Sequence, residues 1–65
     1  MKEKLKELRK EKGLFQEDVA KAIGLSRAAY ASYEQGTREP NIEIIIRLCK
    51  FFDTTPNYLL GFEEY

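Results

Sequence analysis

The segment Gln16–Gly36, QEDVAKAIGLSRAAYASYEQG, decides how this chain folds. Its first part, QEDVAKAI (16–23), sets Val19, Ala20 and Ile23 on one face of a helix that Gly24 stops. Its second part, residues 26–35, opens at Ser26, a favoured N-cap residue, and ends at Gly36. Only Gly24 and Leu25 lie between the two. So short a step cannot return one long helix antiparallel to the other. It fits two helices that cross steeply, a helix-turn-helix. On a wheel of about 100° per residue, Ala29, Tyr30 and Tyr33 form the inward side of the second helix. Arg27, Ala28, Ala31, Ser32 and Gln35 form the outward side. That outward face is small: one cation, one hydroxyl, one amide and two methyls. Alanine is a good helix former, but small side chains also let something large come close.

Working outward, residues 2–12 form a short amphipathic helix on Leu5 and Leu8, closed by Gly13. TREPN (37–41) is a loop, because a residue before proline disfavours helix. Asn41 then caps IEIIIRLCKFF (42–52). Glu43, Arg47 and Lys50 share one narrow polar stripe there, so this helix is expected to be largely buried. Asp53 and Thr54 break it. Thr55 caps a last short helix with Pro56 at its first position, where proline is favoured, and Gly61 ends it. No stretch alternates long enough to be a strand. The expectation is all-α: one compact five-helix domain over residues 1–65.

The 65 residues allow one small core; a domain of this size buries only about 60% of its unfolded surface. No histidine and a single cysteine exclude a zinc site or a disulfide framework within the chain. Cys49 falls on the buried side of its helix and reads as a small core residue. There is no signal-peptide pattern and no apolar run of membrane-spanning length, so a soluble intracellular protein is expected. No catalytic, metal-binding or cofactor-binding residues are expected: histidine and a glycine-rich phosphate loop are absent. The net charge is zero, which argues against nucleic acid. The distribution is less neutral. Residues 1–12 carry six basic and three acidic side chains, whereas residues 53–65 carry Asp53, Glu63 and Glu64 and no base. An α-helix enters the major groove only if its outward side chains are not all bulky, and groups such as those on the 26–35 helix read base edges.

The whole pattern resembles the phage-repressor-like helix-turn-helix family, the lambda repressor and Cro class. The resemblance rests on Gln16 opening the first helix of the motif and on small Ala20 at the helix crossing. Gly24 in the turn, Leu25 as core plug and the ending YEQG (33–36) add to it, as do REP (38–40) and TTPNYLLG (54–61). It covers about residues 3–61. It implies a sequence-specific double-stranded-DNA-binding regulator, with repression by occlusion the simpler mechanism. It implies a prokaryotic cytoplasmic setting, nucleoid-associated or phage-encoded. Base contacts would come from Arg27, Ala28, Ala31, Ser32 and Gln35, and backbone contacts from Gln16, Ser26 and Arg38. It also implies an ion pair between Arg9 and Glu34. A palindromic operator would be bound by a homodimer held through the C-terminal region, with Phe51, Tyr58, Leu60, Phe62 and Tyr65. The alternative is a protein-interaction module of the same fold with little affinity for DNA. The face that would read DNA departs from the family in carrying one cation and two methyls, so hydrogen-bonded readout would be sparse and dominated by Arg27, and two single residues depart as well. Phe15 replaces the usual capping Thr or Ser of the first motif helix, and either packs on the N-terminal helix or lies exposed near the DNA backbone. Tyr30 replaces a typical Ile or Val.

Overall fold

The computed structural model describes residues 1–62; Tyr65, expected in the dimer surface, lies outside them. Five helices and no strand occur among the described residues. They are α1 (Lys2–Glu11), α2 (Gln16–Ile23), α3 (Arg27–Gln35), α4 (Ile42–Phe52) and α5 (Pro56–Leu59). Three of the starts carry the predicted caps. Ser26 accepts a hydrogen bond from the Ala29 N–H, Asn41 from the Ile44 N–H, and Thr55 from the Tyr58 N–H, each within about one tenth of 3.0 Å.

One core joins all five helices. Leu5, Val19, Ala20, Ile23, Tyr30, Tyr33, Ile44, Leu48, Cys49, Phe52 and Leu59 are buried, with Leu8, Leu14 and Leu25 packed at its edge. Ala20 is small where α2 meets its neighbours, and its methyl is almost wholly covered. The turn after α2 depends on Gly24, whose φ of 77° is left-handed. That conformation costs a residue with a Cβ, but not glycine. It lets the Leu25 N–H reach back to the Ala20 carbonyl at 2.9 Å and drops the Leu25 side chain onto the core. The two motif helices are thereby locked at a fixed angle.

The expectation that α4 is largely buried needs correction. Ile44, Leu48, Cys49 and Phe52 are inside and Ile45 and Phe51 are half-buried, but Ile42 is 76% exposed and Ile46 is exposed as well. The apolar arc of α4 is wider than the surface its neighbours offer. Ile42 and Ile46, four residues apart, fall on its uncovered margin. The polar stripe beside them is not only solvated. Arg47 donates to the Ile23 carbonyl at 3.0 Å, placing a cation at the C-terminal end of α2, where the helix dipole favours it.

Candidate nucleic-acid interface

The outward face of α3 begins at its cap. The Ser26 hydroxyl oxygen is occupied by the Ala29 N–H, which leaves its own proton free to donate outward. Arg27, Ala28 and Gln35 are exposed, as the wheel predicts. Ala31 and Ser32 are half-buried instead of fully presented. The Ser32 hydroxyl donates to the Ala29 carbonyl at 2.6 Å, so only its acceptor side remains for a ligand. The Ser32 carbonyl collects the N–H groups of Gly36, Thr37 and Arg38 at 3.0–3.4 Å and the Thr37 hydroxyl at 3.3 Å. This cluster winds the loop after α3 and fixes the backbone that carries Arg38, which is exposed.

Gln16 and Arg27, distant in sequence, line one cleft together with Arg9, Phe15, Glu17 and Asp18. Arg38 lies elsewhere, beside Met1, Lys2 and Glu3. A further hollow brings Lys2 and Lys6 next to Gln35, at the far end of α3. Neither lysine is singled out by the sequence pattern. The signal for them was the basic excess of residues 1–12, which composition reveals but cannot assign to a face. Lys2 also lies across Gly36: a Cβ there would sit 2.8 Å from the Lys2 Cδ, and the φ of 82° already favours glycine.

Beneath the surface a charged network pins the helices together. The Arg9 guanidinium grips Glu34 with two parallel bonds, Nε to Oε2 at 2.7 Å and Nη2 to Oε1 at 3.0 Å, confirming the expected pair. Its Nη1 donates to the Leu14 carbonyl at 2.9 Å. Gln16 joins the network, its amide nitrogen donating to Glu34 Oε1 at 3.2 Å. Burial works against the charge on Glu34. Hydrogen bonds from Arg9 and Gln16, with the Arg9 charge, outweigh it and hold the carboxyl below the usual carboxylate range. The same hydrogen bond to Glu34 raises Arg9 further above neutrality. Tyr30 explains one departure from the expected pattern. Burial, and then the Glu34 carboxylate, push its ionisation well above the usual phenol range, so it stays neutral. Its hydroxyl is buried and makes no hydrogen bond of good geometry among the described residues.

The other departure, Phe15, is 77% exposed and does not pack on α1. It occupies the N-cap of α2 with extended backbone. A phenyl ring has no acceptor, so only the reciprocal half of a capping box forms: the Asp18 carboxylate accepts the Phe15 N–H at 2.8 Å.

A five-helix domain with its second and third helices locked by a glycine turn, and a small-residue face on the third, defines a class. The chain belongs to the helix-turn-helix family, whose model matches residues 5–59. It is 41% identical over 62 residues to the uncharacterised HTH-type transcriptional regulator YqaE of Bacillus subtilis, covering 95% of this chain and 53% of that protein. It is 40% identical over 64 residues to an uncharacterised HTH-type transcriptional regulator of Methanocaldococcus jannaschii, covering 98% of this chain and 97% of that one. Among solved structures it matches the P22 c2 repressor in complex with a synthetic operator. The TM-score is 0.90 at 31% identity, with 95% of this chain and 94% of that chain covered. The chain spans about half the length of the first curated relatives it matches.

Proposed function

We propose that this domain binds double-stranded DNA sequence-specifically as a transcriptional regulator, and that it represses by occupying its operator. The observation that carries this reading is the α2–α3 joint, closed by the left-handed Gly24 and the Leu25 N–H to Ala20 carbonyl bond. It presents Arg27 and Ala28 at the exposed start of α3 and places Gln16, from the start of α2, in the same cleft as Arg27. In this motif the second helix enters the major groove with its N-terminal residues on base edges, and the first crosses the backbone. Arg27 then reads a guanine by two hydrogen bonds. Ala28 and Ala31 offer methyl contacts to thymine, and Ser32 and Gln35 offer polar ones further along. Gln16, Ser26 and Arg38 take phosphates, and Lys2 and Lys6 supply positive charge at the far flank. The similarity to an operator-bound repressor and to regulators by name supports this reading.

A palindromic site and a homodimer belong to the proposal. Within the described residues the exposed part of the expected dimer surface is Leu60 and Phe62, the latter 79% exposed. Phe51 and Tyr58 are half-buried, with Lys12 and Lys4 of α1 over their rings. Leu60 and Phe62 therefore carry the contact, and Phe51 and Tyr58 support it. The proposed setting is the cytoplasm of a prokaryote, nucleoid-associated or phage-encoded.

Selection of bound sequences from a random duplex pool tests the whole reading. A recovered site of two inverted halves about 34 Å apart, bound with an affinity that falls steeply as salt rises, is the expected result. Recovery of no sequence would turn the reading toward a protein-interaction module.

A further inference from the structure

Phe15 carries two costs at once. Its ring is 77% exposed, and it fills an N-cap where Ser, Thr, Asp or Asn would bind a backbone N–H. The Asp18 N–H meets only the Phe15 carbonyl, at 3.0 Å. Nothing in the monomer core uses the ring. What surrounds it is specific: the cleft it lines holds Arg27 from α3 and Gln16 from α2. These are the two residues that the proposed function sets on a base and on a phosphate. On that reading a ring in the same cleft would meet the wall of the major groove, where thymine methyls and deoxyribose carbons offer apolar surface. The acidic side chains next to Phe15 in sequence disfavour a phosphate against the ring itself, while Arg9 and Arg27 line the same cleft. Glu17 is exposed beside the ring, and Asp18 is held by the Phe15 N–H.

We propose that Phe15 is a DNA-contacting residue whose ring packs on the apolar edge of the operator, so that the chain trades a helix cap for contact with DNA. The inference rests on the proposed DNA reading. Two variants separate the roles of the position. Phe15→Ser restores the cap acceptor beside an Asp18 already placed to reciprocate, and raises the melting temperature by about 4–8 °C. Phe15→Ala removes the ring without supplying a cap. Both bind the selected operator about tenfold more weakly than the wild type, as expected for partial loss of an aromatic burial. Replacing each operator thymine in turn by deoxyuracil assigns the contact. A position where the wild type weakens and Phe15→Ala does not marks a thymine methyl. With no such position, the weaker binding of both variants assigns the contact to deoxyribose. Wild-type affinity in both variants overturns the proposal and makes the ring a surface for a protein partner. A wild type that selects no duplex overturns the DNA reading itself, together with this inference. The wild-type-to-variant ratio on a selected duplex tests Phe15 alone.

Discussion

Two ion pairs of nearly equal length sit in different regions of this domain. Arg9–Glu34 measures 2.7 Å in the seam between α1 and α3, with only 1% of the Glu34 side chain exposed. Arg47–Glu43 measures 2.8 Å on the outer face of α4, with 71% of the Glu43 side chain exposed. Distance alone ranks them together; surroundings do not. Buried charges have given up water, so each depends on its partner, and losing one leaves the other stranded. Exposed charges keep their water, and the attraction is screened. The buried pair also recruits Gln16, through Glu34, and the Leu14 carbonyl, through Arg9, tying three helix ends and a turn to one ion pair. That seam fixes the inner side of α3 against α1 and the start of α2. Ile42 and Ile46, beside the exposed pair, show what a region without a second layer looks like.

The largest effect is expected at the buried pair. Glu34→Ala should cost about 3–5 kcal/mol, a large part of the roughly 3–10 kcal/mol expected for a domain of this size. Urea denaturation followed by circular dichroism measures it, and a loss below about 1 kcal/mol would mean the seam is not a true interior.

The next effect is in pH. The folded carboxyl of Glu34 lies below its ordinary value of 4.5. Between the two values the unfolded chain binds more protons, so stability rises with pH in that window. The contribution is complete above the unfolded value and fades as pH falls through the folded one. Denaturation midpoints from pH 6 down to pH 2 should therefore show an acid-side decline below about pH 4.5. That decline should be shallower in Glu34→Gln. Parallel curves for the two proteins would assign the decline to other carboxylates.

Glu43→Ala marks the weak end. Helix pairs four residues apart contribute about 0.3–0.5 kcal/mol when exposed. Its denaturation midpoint should lie close to wild type and converge on it with added salt. Arg47→Ala should cost more than Glu43→Ala, because Arg47 alone also donates to the Ile23 carbonyl.

Much of this fold is legible in the sequence, for identifiable reasons. Helix ends are local: Ser26, Asn41 and Thr55 cap through their own side chains, and Gly24 and Gly36 adopt the left-handed turns they signal. Periodicity gives the inward faces of α2 and α3 in the same way. The burial of α4 is not local, because it depends on how much surface α2 and α5 offer in return. Its margin at Ile42 and Ile46 is therefore misjudged. Side-chain networks are also non-local. Arg9–Glu34 follows from a family resemblance, but the addition of Gln16 to it, the spent hydroxyl of Ser32 and the lysines beside Gln35 need coordinates. Phe15 is legible as an anomaly, and only its exposure shows which of its two possible uses to pursue.

Whether α3 reads bases through its first turn is tested directly by one binding matrix. Wild type, Arg27→Ala and Arg38→Ala are titrated against the selected operator and all its single-base variants at two or more salt concentrations. Arg27→Ala should lose about 1–3 kcal/mol on the best site and become indifferent at one base pair per half-site. Arg38→Ala should weaken every duplex alike and lower the salt slope by about one unit per subunit. Equal weakening of Arg27→Ala on every variant, with discrimination intact, would contradict that expectation: Arg27 would then hold a phosphate, and α3 would not read sequence through it.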